Sequence, residues 1–473
     1  MSVDAIIVGA GFSGAVLAER FASQLGWKVL VLEQRPHIGG NCYDEPDAHG
    51  VLVHRYGPHL FHTDNPRVWD YLSAFTEWRP YEHKVLSSID GQLVPIPFNL
   101  NSIDRLFDAD TATCMREALV SRFGLGARVP ILRLKEEDEP LLRELADFVY
   151  RKAFLNYTTK QWGVKPEEIS PEVTGRVPVV VDRDDRYFTD PYQAVPAEGY
   201  TKLFEKLLAH PNITVRVNTP FNALGAFDPD TGAVQFEGAP FGGLLVFTGM
   251  VDELFGRDRG ALPYRSIRFD FQHHAVPVFQ PATTVNYPNE HRYTRITEFK
   301  HLTGQQCAGT SIVYEYPQAY DPADPEANVP YYPIFDERSK AAYTAYADRL
   351  GGHARVVAVG RLAQYRYFDM DDAVANALQV FDRIAHSGRD PAVPGRRRRA
   401  SIAMNTGEQT AREYLSPPGD GLWTWAEHGN VIVWRGGRTV GFRLEFLQIL
   451  EALAPNPLPP FGSVVLLMAA CRG

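Results

Sequence analysis

The residues Gly9-Ala10-Gly11-Phe12-Ser13-Gly14 form a GxGxxG turn, which brings bare backbone against a pyrophosphate. Gly9 permits the tight turn, Gly11 lets the backbone approach the phosphates, and Gly14 allows a helix to pack closely on a strand. Phe12 and Ser13 belong to the same cofactor-binding stretch, whose helical N–H groups would face the phosphates. Glu33 follows Gly14 by 19 residues, a distance that suits hydrogen bonds from an adenosine ribose. Three arginines, Arg176, Arg295 and Arg361, stand in segments otherwise poor in basic side chains. Separated guanidinium forks of this kind match a diphosphate. Tyr332 and Tyr367 are buried-aromatic candidates whose hydroxyls would reach phosphate oxygens. Trp162 has two readings, a ring stacked on a base or one packed in a helical core. His59 and His62 lie three apart without a matching acid or cysteine cluster, so no metal site is expected.

These groups need elements to position them. An apolar strand over 4–8 precedes the glycine turn, helical spacing runs over 15–24, and a second buried strand follows over 27–33. That is the βαβ unit of a parallel sheet. Charged, leucine- and alanine-containing stretches between Asn101 and Glu168 read as an inserted helical domain. Short apolar runs over 213–217, 243–248 and 356–359 read as strands returning to the nucleotide-binding sheet. From Tyr264 to Tyr316, β-branched and aromatic residues alternate, as in Tyr293-Thr294-Arg295-Ile296-Thr297-Glu298-Phe299. An antiparallel sheet with one wet face is expected there.

The nucleotide turn is common to NAD and FAD proteins, so a second feature decides. Gly39-Gly40-Asn41 follows Glu33 at a distance suited to close backbone approach to the flavin half of FAD. Gly360 and Arg361, after a strand and before a helix beginning near Met370, offer a matching contact from the far end of the chain. A cofactor gripped from both ends is buried and retained, which favours FAD over a dissociable nicotinamide.

Composition narrows the partners. The chain has 473 residues and a net charge of −9, with 57 acidic against 48 basic side chains, which disfavours nonspecific binding to nucleic acid or an anionic membrane. The four cysteines are scattered without a CxxC pair, so neither zinc nor a disulfide framework is indicated. A reducing, cytoplasmic setting is expected, with no signal peptide and no membrane insertion. After about Ala385 the character shifts to HSGRDPAVPGRRRRAS, a linker composition. Beyond it come a hairpin turning at Gly436-Gly437 and a helix over 444–453.

Six segments in order, YGPHLFHTD, PIPFN, NYTTKQWG, TRITEFKH, PYYPI and GRLAQYRYFDMD, resemble the bacterial UDP-galactopyranose mutase family over roughly 1–385. The resemblance implies an α/β fold: a discontinuous Rossmann-type FAD-binding domain (1–80 with 190–250 and 335–385), an inserted helical domain carrying a mobile lid (101–175), and a six-stranded antiparallel β-sheet substrate domain (81–100 with 260–330). Residues 386–473 form a linker and an appended module outside the resemblance. Residue by residue, Arg176 and Arg295 match diphosphate-binding arginines, and Tyr332 and Tyr367 match phosphate-binding tyrosines. Thr158 and Trp162 match residues of the substrate cleft, Tyr187 matches a tyrosine that stacks on uracil, and Asn99 and Phe154 match other substrate contacts. His62 matches a histidine on the loop facing the isoalloxazine, while Arg361 and Asp369 match flavin-side contacts. His59, Gly40, Asn41 and Met370 complete the expected cofactor set. Ala153 stands where some relatives carry an aromatic uridine contact, and Met250 replaces a proline after Thr248-Gly249.

The resemblance also implies a reaction, interconversion of UDP-galactopyranose and UDP-galactofuranose. Reduced flavin N5 would attack the anomeric carbon with UDP as leaving group. An external reductant would be needed, and a homo-oligomer is compatible with the sequence. The alternative is a flavin oxidoreductase of the amine oxidase or desaturase type, which shares the N-terminal signature.

Overall fold

The computed structural model describes residues 3–163 and 178–386, together with three strands over 423–427, 430–435 and 438–443. The chain divides into two compact units, Met1–Met404 and Asn405–Gly473.

The first unit is organised on a parallel sheet of five strands, in the order Ile213–Arg216, Val29–Leu32, Ala5–Val8, Leu244–Phe247 and Val356–Ala358. All four residues of Val29–Leu32 and of Leu244–Phe247 are buried, as continuous apolar strands of a doubly covered sheet must be. On one side lie the helices Phe12–Leu25 and Met370–His386, with Val16, Phe21, Val374 and Leu378 in one core. On the other, Met250, Phe255 and Leu350 join Ile6 and Leu245 in a second core. The returning strands expected from the sequence are thus all present in one sheet.

A second sheet has seven strands, in the order Tyr332–Pro333, Tyr264–His274, Thr310–Ala319, Arg295–Glu298, Thr284–Asn286, Val85–Ile89 and Gln92–Ile96. This corrects the expectation of six antiparallel strands, because Thr284–Asn286 and Val85–Ile89 run parallel. The Val85–Ile96 hairpin comes from a distant part of the chain, so no tight turn dictates its direction against Thr284–Asn286.

Between the hairpin and the rest of the sheet domain, the chain forms helices Leu100–Leu106, Ala109–Phe123, Ile131–Leu134 and Pro140–Val149 around Met115, Leu119, Leu142 and Leu145. A π-helical turn, Tyr150–Leu155, then leads into the helix Asn156–Trp162. No sequence feature had indicated this turn. Such turns widen the helix locally and are frequent at functional sites.

In the second unit, Trp423–Glu427, Asn430–Arg435 and Arg438–Arg443 form an antiparallel meander. The expected hairpin is present, and the expected helix over 444–453 lies outside the described residues. Among the described residues, no helix is long and apolar enough to cross a membrane.

Within the large sheet, Glu298 is fully buried. It accepts hydrogen bonds from Phe279 N (3.0 Å), Gln280 N (2.9 Å) and Thr310 Oγ1 (2.7 Å), and lies 3.2 Å from His301 Nε2. Burial works against its charge, but His301 and the other donors prevail and lower its pKa from 4.5 to about 2. The same carboxylate raises His301 above its ordinary 6.5. The carboxylate's contribution to stability is therefore complete above pH 4.5 and is lost as pH falls through about 2. That of His301 is complete below 6.5 and is lost as pH rises through its raised value. Glu298→Gln should lower the thermal midpoint at pH 6 by roughly 3–8 °C. The deficit should shrink as pH approaches 2, and an unchanged midpoint at pH 6 would show that the carboxylate does not hold this corner of the sheet.

Candidate functional site

The glycine turn lies where the strand Ala5–Val8 passes into the helix Phe12–Leu25. Gly9 has φ 104°, and a Cβ on it would lie 2.1 Å from Thr248 Oγ1. A Cβ on Gly14 would lie 2.0 Å from Gly9 O, so strand and helix pack as closely as the motif requires. Gly11 caps the helix without a side-chain bond, leaving its first N–H groups open. Gly40 crosses over Gly11 so closely that a Cβ there would sit 3.0 Å from Gly11 Cα. Ser13 meets Gly360 from the opposite end of the chain, within 2.6 Å of where a Cβ would lie. Phe12 turns away from this cradle and packs on Phe204 and Tyr200.

Glu33 is buried, and its two oxygens accept from Ala10 N and Arg35 N, both at 2.9 Å. Asn41 Oδ1 accepts from Arg35 Nη2 (3.0 Å), while Arg35 Nη1 is buried without a hydrogen-bond partner among the described residues. An orphaned guanidinium N–H beside a bare-backbone cradle fits a phosphate group, so the donor set suits a dinucleotide. His59 N donates to His54 Nδ1 (3.0 Å), and its own Nδ1 contacts Gly57 O (2.9 Å). Burial pushes His54, His59 and His83 down to about 3, so all three are neutral at physiological pH. Met370 opens the helix Met370–His386, and Asp369 N bonds Asp372 Oδ2 (3.1 Å) just before it.

A cavity of about 110 Å³ lies among the helical segment, the hairpin and the sheet, lined by Phe154, Thr158, Trp162 and Tyr187 together with Ser87, Ala153, Tyr157 and Asn286. At one end, the Trp162 ring lies 5.6 Å from Tyr332 and 6.4 Å from Tyr367. Tyr332 and Tyr367 stack at 5.8 Å with 4° between their planes. Arg361 Cζ lies 5.5 Å and 5.6 Å from these two ring centroids, its guanidinium donating to the carbonyls of Tyr331 and Phe368. Three separate stretches of the chain, carrying Trp162, Tyr332, and Arg361 with Tyr367, are thereby brought together. His62 lies 3.2 Å from Asp190 Oδ2 and stacks on Phe188 at 3.6 Å. Asn99 is fully buried and caps the helix Leu100–Leu106, its amide donating to Asp184 O and Asp185 Oδ1. Its hydrogen-bonding capacity is thus spent within the fold. Arg176 lies outside the described residues.

Arg295 faces a residue that sequence reasoning missed. Glu315 is its cross-strand neighbour, and Arg295 Nε lies 2.7 Å from Glu315 Oε2. Burial pushes the Glu315 carboxyl upward against the pull of Arg295. Burial also opposes the guanidinium charge, but Glu315, Tyr157 and Tyr332 more than offset it. The cation is therefore held in place by one buried carboxylate. The signal was present in Tyr314-Glu315-Tyr316, an acid inside an aromatic strand. His83, Tyr157, Asn286 and Arg35 were missed as well. Asn286 Oδ1 is buried without a partner among the described residues while its side chain lines the cavity.

A dinucleotide cradle on a parallel sheet beside a cationic aromatic cleft defines a Rossmann-type enzyme with a second site for an anionic ligand. Known proteins sharpen that class. A family model described as UDP-galactopyranose mutase matches residues 152–367, and one described as an NAD(P)-binding Rossmann-like domain matches 7–75. The UDP-galactopyranose mutase of Mycoplasma pneumoniae is 36% identical over 386 residues, covering 80% of this chain and 96% of that protein. The probable UDP-galactopyranose mutase of Klebsiella pneumoniae is 34% identical, covering 81% and 94%, and a dTDP-fucopyranose mutase of Escherichia coli is 33% identical, covering 79% and 96%. The chain belongs to the UDP-galactopyranose mutase family and is an isomerase of the flavin-binding type.

Among solved structures, a reduced UDP-galactopyranose mutase shares the fold with a TM-score of 0.63 at 16% identity, over 82% of this chain and 97% of that one. A putative protoporphyrinogen oxidase from Exiguobacterium sp. 255-15 shares it at 0.55 and 13% identity, over 82% and 99%. The family model that matches residues 437–473 is described as MoxR-vWA-beta-propeller ternary system domain bpX0.

Glu315→Gln should leave the Arg295 charge uncompensated in a buried site, costing about 3–5 kcal/mol of stability. It should also reduce turnover of the nucleotide sugar at least tenfold. Thermal unfolding and steady-state rates check both, and wild-type turnover in the variant would remove Glu315 from any role in holding Arg295.

Proposed function

We propose that the protein interconverts UDP-galactopyranose and UDP-galactofuranose, with FAD as its cofactor. The observation that carries this reading is the joining of Trp162, Tyr332, Tyr367 and Arg361 at one end of a cleft, close to the Arg295–Glu315 pair, whose arginine is the cross-strand neighbour of the cavity-lining Asn286 and interacts with the charges of Tyr157 and Tyr332. Reduced FAD, when bound, supplies a nucleophilic N5 toward the anomeric carbon of the sugar.

The chain's own residues then have a limited task, to bind the substrate and stabilise the departing UDP. Arg295, fixed by Glu315, presents a cation to the diphosphate in a site sheltered from water, where its charge acts more strongly than at a surface. The hydroxyls of Tyr332 and Tyr367 donate to phosphate oxygens, and Arg361 beside their rings adds positive potential. Phe154, Thr158 and Tyr187 receive the uridine, with Asn286 Oδ1 free to accept a hydrogen bond from it or from the sugar. His59 and His83 serve as neutral hydrogen-bonding groups, since their pKa of about 3 excludes a charged form at neutral pH. A reductant external to the chain keeps the cofactor active, in a cytoplasmic setting.

The first test is incubation of the purified protein with UDP-galactofuranose, once with dithionite and once oxidised, with product followed by chromatography. Conversion only under reduction is expected. No conversion, with FAD bound and reducible, would favour a flavin oxidoreductase, whose fold is shared here by the putative protoporphyrinogen oxidase. Arg295→Ala should lower kcat/KM by ~10²–10³ while the flavin spectrum is retained. Near-normal turnover in that variant would exclude Arg295 from the leaving-group site.

A further inference from the structure

We propose that Arg265 is a positioning residue for the leaving-group end of the cleft, setting Trp162 against Tyr332 with one side chain. The proposal rests on the reading above, that this end receives the UDP diphosphate. Arg265 lies in the strand Tyr264–His274, where its Cα is paired with that of Tyr332. Its carbonyl accepts from Tyr331 N at 2.8 Å. The backbone of Arg265 therefore fixes the strand that carries one wall of the aromatic cluster.

Its side chain fixes the other wall. The guanidinium donates from Nε to Gln161 O and from Nη2 to Lys160 O, both at 3.0 Å. These carbonyls belong to the last turn of Asn156–Trp162, and the carbonyls that close a helix take their partners from outside it. Gly163 ends the helix at φ 77°, and a Cβ there would lie 3.0 Å from Arg265 Nη1, so the chain turns over the guanidinium in contact with it. Trp162 sits between the two captured carbonyls and this turn. A cation at a helix C-terminus is also favoured by the helix dipole.

Arg265 is only 9% exposed, and among the described residues no acidic side chain pairs with it, so burial works against its charge. A cap serving stability alone is usually made by glycine, and Gly163 already supplies one, with its N–H on Thr159 O at 2.8 Å. What the arginine adds is registry between two elements separated by about a hundred residues. Two donors on one edge of a planar fork hold two successive carbonyls, and a lysine ammonium cannot reproduce that spacing.

The test uses the full chain with its cofactor bound, as Arg265→Lys, Arg265→Met and Gly163→Ala. Steady-state kcat and KM for UDP-galactofuranose under dithionite are measured beside the affinity for UDP, read by tryptophan fluorescence with Trp162→Phe as the blank. Both Arg265 variants should weaken UDP binding and raise KM tenfold or more, with the flavin spectrum unchanged and no rescue by lysine. Gly163→Ala should give a smaller shift in the same direction. UDP affinity and KM within twofold of wild type in Arg265→Lys, whatever its thermal midpoint, would reduce Arg265 to a structural cap and overturn the proposal. If an Arg265 variant does not fold, Gly163→Ala decides alone, and an unchanged UDP affinity there overturns the proposal. A wild-type protein that binds UDP without converting the sugar would sink the functional reading while leaving the positioning test intact. One that does not bind UDP would sink both.

Discussion

A cation has to be kept inside a largely aromatic wall, and the pairing of Arg295 with Glu315 meets that requirement. A guanidinium buried with neither a counter-charge nor hydrogen-bond acceptors would be prohibitively costly, and a fully neutralised one would offer little to a phosphate. The cross-strand arrangement lies between these limits. Glu315 takes the charge from one side at 2.7 Å, while Arg295 Nε and both carboxylate oxygens lack well-directed hydrogen bonds. The pair exists only because Arg295–Glu298 and Thr310–Ala319 hold one register, so the sheet is the device that sets the electrostatics of the cleft.

Around that pair, positive charge comes from arginine and not from histidine. His54, His59 and His83 are all driven to about 3 by burial. Near neutral pH these three imidazoles therefore add no charge to the site. The histidines instead contribute shape and directed hydrogen bonds, as between His59 N and His54 Nδ1.

The same segment of chain serves cofactor and cleft. Gly360 meets Ser13 in the dinucleotide cradle, Arg361 lies beside the tyrosine rings, and Tyr367 completes the aromatic cluster within eight residues. Packing of Met370–His386 on Phe12–Leu25 therefore aligns the aromatic end of the cleft with the nucleotide turn. The shared fold of the protoporphyrinogen oxidase carries no such chemistry by itself, since function resides in the side chains grafted on it.

Much was legible in the residues alone, because local geometry enforces it. The parallel strands are continuous apolar runs, Gly9 and Gly14 sit where no side chain fits, and Glu33 directly follows the second strand of the unit. The grouping of Trp162, Tyr332, Tyr367 and Arg361 was expected from ordered segments and is realised by contacts over about two hundred residues. Pairing was not legible. That Arg295 faces Glu315, that Asn99 spends its amide on a cap, that Arg265 reaches Lys160 and Gln161, and that Val85–Ile89 runs parallel to Thr284–Asn286 all depend on the register of distant segments. Periodicity reports which face of an element is buried, and only the folded chain decides what that face meets.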